Sequence, residues 1–289
     1  MFQQALEDAA GRVGTCLDAV LAPFGDLPVA DAMRYATRGG KRLRGFLVLE
    51  SARLHGVPAD RAVYAAAAVE ALHAYSLVHD DLPCMDDDDL RRGQPTVHVR
   101  WDEATAVLAG DALQTLAFEV LASDAVSDDP AVRLALITSM AQAAGAQGMV
   151  LGQALDIAAE TADSPLTLDE ITRLQDGKTG ALICWSAEAG AMMAGADVTP
   201  LRQYARALGL AFQIADDILD VEGDVTLAGK RLGKDADAGK ATFVSLLGLE
   251  GAKARATELV MQAEAALEPY GDKADNLRQA AQFVIAREM

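Results

Sequence analysis

Cysteines and positive charges are scarce in this 289-residue chain. The three cysteines are far apart and form no CxxC pair, so we predict neither a disulfide framework nor a zinc site, and a reducing, cytoplasmic location. Lys and Arg number 25 against 43 Asp and Glu, which gives a formal net charge of −18. A chain this acidic is a poor partner for nucleic acid or for an anionic membrane surface.

Aromatic residues make up only 5% of the chain, and we find no uninterrupted apolar run long enough to cross a bilayer, so no membrane partner is expected. Alanine, the best helix former, is abundant. Apolar residues recur at helical spacing over residues 62–81, 102–121, 131–158, 171–194 and 201–221. Nothing alternates with a period of two, and no Ser/Gly-rich linker divides the chain. The sequence therefore predicts an all-α fold in a single domain, residues 1–289.

The first acidic cluster lies at residues 80–89, which read DDLPCMDDDD. These six carboxylates within ten residues repel one another, and acids at the end of a helix also oppose its dipole. A bound divalent cation would offset that cost. Oxygen ligands without His or Cys suit magnesium or calcium rather than zinc. Taken alone, the run is equally compatible with a solvated acidic loop.

The second acidic cluster is DDILD at residues 216–220. Residues four apart on a helix share one face, about 6 Å apart, so Asp216 and Asp220 would face a common ion cluster with Asp217 beside them. Both clusters follow apolar helical runs, which places them at the ends of core helices. Magnesium takes few carboxylates and completes its shell with water and phosphate oxygens. Two such sets therefore predict a diphosphate held through several ions.

Basic residues cluster where such a diphosphate would need them. They fall in four short stretches: Lys41, Arg42 and Arg44; Arg91 and Arg92; Lys178; and Lys230, Arg231, Lys234 and Lys240. The guanidinium fork of Arg matches pairs of phosphate oxygens, and Lys supplies a point charge. A single pair could equally be a surface salt bridge, but the whole set indicates diphosphate binding.

Six stretches together resemble one known family, the trans-prenyltransferases or polyprenyl synthetases, and among them the bacterial-type farnesyl diphosphate synthases. They are GGKRLRG (39–45), HAYSLVHDDLPCMDDDDLRRG (73–93), GQALD (152–156), KTGALI (178–183), FQIADDILD (212–220) and GKRLGKDADAGKAT (229–242). The resemblance implies a helical domain of the isoprenoid synthase type, with helices around a central substrate cavity. It also implies Mg²⁺ as cofactor (three ions per site), isopentenyl diphosphate and allylic diphosphates as substrates, and a homodimer.

The resemblance further implies a role for each matching residue. Asp80 and Asp86 would bind magnesium from one side and Asp216 from the other, supported by Asp81, Asp217 and Asp220. Lys41, Arg44, His73 and Arg92 would hold the diphosphate of isopentenyl diphosphate. Arg91, Lys178, Lys230 and Lys240 would hold the allylic diphosphate. Thr179 and Gln213, with Lys178, would lie at the reacting allylic carbons as catalytic residues.

Two departures from the family pattern stand out. On an ideal helix, at about 100° per residue, Asp87 rather than Asp86 shares the face of Asp80. Pro83 should disturb a helix there, and we follow the family in choosing Asp86. Val244 stands where the family often has proline, so the chain departs from the family pattern shortly after Lys240.

The implied reaction is an electrophilic alkylation that ends at fifteen carbons. Tyr75 lies five residues before Asp80, about 7.5 Å up the helix axis, where an aromatic ring beside the small Ser76 would limit the growing tail to a farnesyl chain. If Tyr75 only packs in the core, a geranylgeranyl diphosphate synthase is the alternative. A catalytically silent partner subunit would have lost one aspartate motif. A terpene cyclase would have no need for GGKRLRG.

Overall fold

The computed structural model describes residues 2–162, 164–222 and 241–286 of the chain. Helices dominate these residues, and they are, in chain order: α1 Phe2–Leu21, α2 Pro28–Ala36, α3 Leu43–Leu54, α4 Ala59–Asp80, α5 Val97–Arg100, α6 Glu103–Ala122, α7 Pro130–Ala144, α8 Met149–Glu160, α9 Leu168–Gln175, α10 Ala181–Met193, α11 Thr199–Glu222, α12 Phe243–Leu247, α13 Leu249–Ala266 and α14 Asp275–Ala286. The predicted all-α fold class is confirmed.

The chain forms two compact units. The first comprises Met1–Ile137 with Ala189–Gly195, and the second comprises Thr138–Glu188 with Ala196–Met289. Two of the boundaries fall inside helices α7 and α10, and the third, between Gly195 and Ala196, falls in the short connection between α10 and α11. A single domain over residues 1–289 stays a prediction.

The first unit is built on α4, which packs against α1, α3 and α6. Seven of its alanines are buried: Ala62, Ala65, Ala66, Ala67, Ala68, Ala71 and Ala74. Small side chains let neighbouring helix backbones approach closely. Helix α4 can therefore pack closely against its neighbours along most of its length.

The second unit is built on α11, which packs along α13 and also contacts α9, α12 and α14. Its buried Tyr204 donates a hydrogen bond from its hydroxyl to the carbonyl of Leu277 in α14 over 2.8 Å. A capping box starts α9, where Thr167 and Glu170 exchange bonds between side chain and backbone as their spacing predicts.

Two local features depart from the helical pattern. Residues Leu90–Arg91 and Gln94–Pro95 form a short antiparallel ribbon, although no strand was predicted. Its turn has left-handed φ angles at Arg92 (53°) and Gly93 (73°), the backbone of a tight type I′ hairpin. A two-residue strand is too short to show alternation.

Two helical stretches have the length and hydropathy that could cross a membrane, Glu103–Ala122 and Pro130–Glu160. This differs from the expectation drawn from uninterrupted apolar runs. Alanine-rich core helices of globular proteins can have the same length and apolar character, and isolated charges such as Asp111 occur in the first stretch. Only 44% of the first stretch and 28% of the second is buried, and exposed apolar side chains include Leu108 in the first and Leu134 in the second.

Candidate active site

Helix α4 ends at Asp80, and the first acidic cluster forms the loop that follows. Pro83 accounts for this, because it disfavours helical backbone in the residue before it. The loop then folds back, since the backbone N–H of Asp86 donates to the carbonyl of Asp80 over 2.8 Å. Asp87 has a left-handed φ of 51°. The ideal-helix phase that favoured Asp87 therefore does not apply, and the return bond brings Asp86 back to the helix end.

Asp81 is buried and held by Arg91 of the hairpin. Nε of Arg91 donates to both carboxylate oxygens, at 2.7 and 2.9 Å, and Nη2 lies 2.6 Å from Oδ1. Burial raises the pKa of the Asp81 carboxyl, and the pairing with Arg91 opposes that rise. The pair ties the end of α4 to the hairpin and favours a supporting place for Asp81 beside Asp80 and Asp86.

Cationic groups converge on the face of α4 that leads to Asp80. The pKa of the His73 imidazole is lowered well below its usual value, first by burial and then by three guanidinium groups: Arg44, Arg92 and Arg91. Burial also lowers the pKa of Arg44, and the charge of Arg92 lowers it further. Within the described residues, the buried Nε of Arg44 has no hydrogen-bond partner. An oxyanion would supply the missing acceptor and relieve the repulsion.

Two arginines at the glycine turn before α3, Arg42 and Arg92, have different contacts. Arg42 directly precedes α3 in left-handed backbone (φ 49°, ψ 45°) and donates from Nη2 to the carbonyl of Thr37 over 2.9 Å. Its guanidinium packs on α1, 3.5 Å from where a Cβ on Gly14 would lie. Gly40 has a φ of 76°, and the Arg92 guanidinium lies 2.7 Å from the position of its missing Cβ. Arg42 thus serves the fold, whereas Arg92 is stacked on the glycine turn.

Tyr75 is 7% exposed and lies against α6. Its hydroxyl is hydrogen-bonded to Gln114 of that helix, and its ring meets the His79 ring edge to face, with centroids 5.4 Å apart. On an ideal helix Ser76 points about 40° from Asp80 and Tyr75 about 140° from it. The limit that Tyr75 would place on the product chain stays a prediction.

Helix α11 presents the second acidic cluster on one stripe. The half-buried residues at spacings of three and four are Gln213, Asp216, Asp217 and Asp220, whereas Ile214, Ala215 and Ile218 are buried. The helical spacing predicted for this cluster is confirmed, because all of these residues lie within Thr199–Glu222.

Asp217 has a structural contact of its own. Its Oδ2 accepts the backbone N–H of Phe243, the first residue of α12, over 2.6 Å. The first N–H groups of a helix have no partner within the helix and carry a partial positive charge, which favours a carboxylate there. Asp217 therefore anchors the start of α12 to α11.

Lys178 lies in a wide π turn, Asp176–Gly180, between α9 and α10. Its Nζ donates to Oδ2 of Asp156 over 2.6 Å, and both side chains are largely shielded from solvent. The backbone of this turn is packed directly on Gly152 of α8, where an added Cβ would lie 2.0 Å from the Lys178 nitrogen. Such π turns occur frequently at functional sites. Thr179, the next residue, is half-buried in the same turn.

Two of the predicted site residues, Lys230 and Lys240, lie outside the residues that the structure describes. In the described ranges, no group of three or more His, Cys, Asp or Glu side chains is arranged to hold a metal ion. The donor chemistry nevertheless fits magnesium, because Asp80 and Asp86 are joined at the helix end and Asp216 and Asp220 share a stripe, all with hard oxygen ligands.

Two acids that the sequence analysis left without a role contact residues of the matched stretches, one in each compact unit. Glu70 accepts the backbone N–H of Gly45 over 2.8 Å, and Asp156 pairs with Lys178. Glu70 interrupts an apolar helical run three residues before His73, so helical spacing already placed the two on one face. Asp156 stands in the GQALD stretch, but its partner is 22 residues away.

The helical fold, the cationic cluster and the carboxylate-rich helix end define a class of diphosphate-binding proteins. A family model described as polyprenyl synthetase matches residues 28–282, and the chain belongs to this family. The resemblance seen in the sequence is thereby confirmed.

Relatives over the full length include the farnesyl diphosphate synthase of Escherichia coli strain K12, 46% identical over 300 residues covering 99% of each chain. The chloroplastic geranylgeranyl pyrophosphate synthase of Capsicum annuum is 39% identical over 99% of this chain and 79% of the relative. A crystal structure of an FPP/GFPP synthase from Zymomonas mobilis matches with a TM-score of 0.89 at 47% identity, covering 98% of both chains.

Proposed function

We propose that the chain is a farnesyl diphosphate synthase that condenses isopentenyl diphosphate with dimethylallyl or geranyl diphosphate. The observation that carries this proposal is the set of guanidinium groups around the buried His73, beside the acidic end of α4: after burial, the charges of Arg44, Arg92 and Arg91 lower the pKa of its imidazole. Such a set is suited to a polyanion. Full-length relatives named farnesyl diphosphate synthase support the choice of reaction.

In the proposed reaction, the allylic C–O bond breaks and its electrons leave with diphosphate. The double bond of isopentenyl diphosphate then forms the new C–C bond, and a proton is lost to the departed diphosphate. Lys41, Arg44, His73 and Arg92 would hold isopentenyl diphosphate. Arg91 and Lys178 would hold the allylic diphosphate, each already oriented by a carboxylate partner. Thr179 and Gln213 would offer oxygen dipoles to the allylic cation.

Magnesium ions would neutralise the leaving diphosphate when bound. Asp80, Asp86 and Asp216 are the proposed ligands, with Asp81 and Asp220 in support. Asp81 would act mainly through Arg91, because both of its oxygens are engaged there. Three ions per site is part of the same proposal.

Release of inorganic diphosphate tests the activity. Purified protein is expected to release it only when both an allylic diphosphate and isopentenyl diphosphate are present, and to stop when a chelator removes magnesium. Release from the allylic substrate alone would indicate a hydrolase or cyclase. No release from folded protein would favour a silent partner subunit.

Product length tests Tyr75. Replacing Tyr75 with Ala removes a buried ring, and we expect twenty-carbon or longer products if the ring limits the tail. Ser76→Ala, on the adjacent face, is the matched control and should leave fifteen-carbon product. If Tyr75→Ala still stops at fifteen carbons while folding normally, the ring only packs against α6. Relatives named for geranylgeranyl and FPP/GFPP synthases keep the longer product as the second candidate.

A homodimer in the cytoplasm is also proposed. Helix α6 is apolar yet exposes Val107 and Leu108, which are 40% and 57% accessible, and α7 exposes Leu134 at 64%. Exposed apolar helix faces of this kind commonly mark contacts with another chain. Sedimentation of the purified protein is expected to give twice the 30.3 kDa chain mass. A single-chain mass at micromolar concentration would contradict the dimer.

A further inference from the structure

We infer that Glu70 is a positioning residue for isopentenyl diphosphate: its carboxylate fixes the backbone beside Arg44 and supplies a counter-charge to the Arg44 and Arg92 guanidinium groups. This inference rests on the proposed function, because it concerns the same cationic cluster. Glu70 is an acid in an otherwise apolar stretch of α4, three residues before His73 and on the same helical face.

The first support is a direct bond between two helices. Oε1 of Glu70 accepts the backbone N–H of Gly45 over 2.8 Å, in the first turn of α3, where N–H groups have no partner within the helix. Gly45 directly follows Arg44 in the chain. The bond therefore fixes the backbone from which the Arg44 side chain extends.

The second support is the close fit at that contact. A Cβ on Gly45 would lie 3.1 Å from Val13 and 3.4 Å from Cγ of Glu70. The glycine is what allows the backbone to approach the carboxylate. The Glu70 carboxylate reaches the backbone N–H of Gly45 because α3 and α4 lie this close together.

The third support is charge. Burial lowers the pKa of Arg44 and of Arg92, and in both cases the Glu70 carboxylate is the largest influence that opposes it. Without this counter-charge the repulsion between the two guanidinium groups would be stronger. The fixed carboxylate offsets part of that repulsion, so less of the binding energy of the diphosphate is spent on bringing the two cations together.

A purely structural role for Glu70 predicts something different. If it only capped α3, its loss would lower stability and affect both substrates alike. A positioning role predicts a selective effect on isopentenyl diphosphate, because Arg44 and Arg92 are assigned to that substrate, and Arg91 and Lys178 to the other. The two Michaelis constants therefore separate the possibilities.

The test compares Glu70→Ala and Glu70→Gln with the wild-type protein. Glu70→Ala loses both the bond and the charge, and should raise the KM for isopentenyl diphosphate about tenfold, with less than about threefold change for geranyl diphosphate. Glu70→Gln keeps an oxygen acceptor for the Gly45 N–H, and should give a smaller, equally selective rise of about threefold.

Glu50→Gln is the matched control, because Glu50 is a buried acid of α3 that pairs with Arg53 over 2.7 Å and is not part of the cluster. It should leave both KM values unchanged. Equal changes in both KM values for the Glu70 variants, or a loss of stability alone, would overturn the inference. If Glu70→Ala does not fold, the selectivity of Glu70→Gln decides it.

Calorimetric titration with inorganic diphosphate separates this inference from the proposed function. Weaker binding by Glu70→Gln than by the wild type supports the positioning role even if the wild type proves inactive. Inactivity of the wild type in the diphosphate-release assay would instead contradict the proposed function. Undiminished diphosphate binding by both Glu70 variants would overturn the positioning role.

Discussion

Replacing Asp80 with Asn is expected to lower turnover by about a thousandfold, the size of effect seen when one strong electrostatic group at a reacting centre is lost. The variant keeps the shape of the side chain but loses its charge, and with it a proposed ligand for the metal ions that neutralise the leaving diphosphate. The turnover number is measured as the steady-state rate of diphosphate release at saturating substrate and magnesium.

Asp86→Asn and Asp87→Asn, measured in the same assay, test which of these two loop aspartates acts together with Asp80. Asn tolerates the left-handed backbone of Asp87, so neither change should disturb the fold. Because the Asp86 N–H returns to the Asp80 carbonyl, we expect a large loss for Asp86→Asn and less than about threefold for Asp87→Asn, as for an ordinary surface charge. The reverse order would mean that the acidic loop is arranged differently when metal is bound.

Replacing Gly152 with Ala is expected to disrupt the turn that carries Lys178. The added methyl would lie 2.0 Å from the Lys178 nitrogen and 2.5 Å from its Cα, and backbone atoms cannot move aside as a flexible side chain can. We expect the free energy of unfolding to fall by about 3 kcal/mol, at the upper end for overpacking. Chemical denaturation measures it.

The surviving folded fraction of Gly152→Ala should also bind allylic substrate less tightly, because the Lys178–Asp156 pair spans the displaced contact. Gly11→Ala is the control, since nothing lies within 4 Å of its added Cβ in helix α1. That change should stabilise the protein by about 0.5–1 kcal/mol through helix propensity. Equal stability of the two variants would show that α8 and the turn are not in close contact.

Periodicity was enough to predict α4, α6 and α11, because each is long and keeps an apolar face. The shared face of Asp216 and Asp220 followed from the same spacing. Periodicity could not predict the hairpin that carries Arg91, because a strand of two residues is too short to show a period. The π turn around Lys178 was equally hidden, because it differs from a regular helix by one residue.

Contacts that depend on tertiary packing could not be predicted from sequence. The ideal-helix rule pointed to Asp87, but Pro83 ends the helix and the loop doubles back to place Asp86 by Asp80. Glu70 and Asp156 have partners 25 and 22 residues away, and no local pattern links them. Their roles become visible only when the helices are packed.

The most direct test is to incubate the purified protein with geranyl diphosphate, isopentenyl diphosphate and magnesium, and to determine the products by mass spectrometry. A fifteen-carbon diphosphate that disappears in the presence of chelator is the predicted result. Recovery of unchanged geranyl diphosphate from folded protein, with magnesium present, would contradict the proposed prenyl transfer.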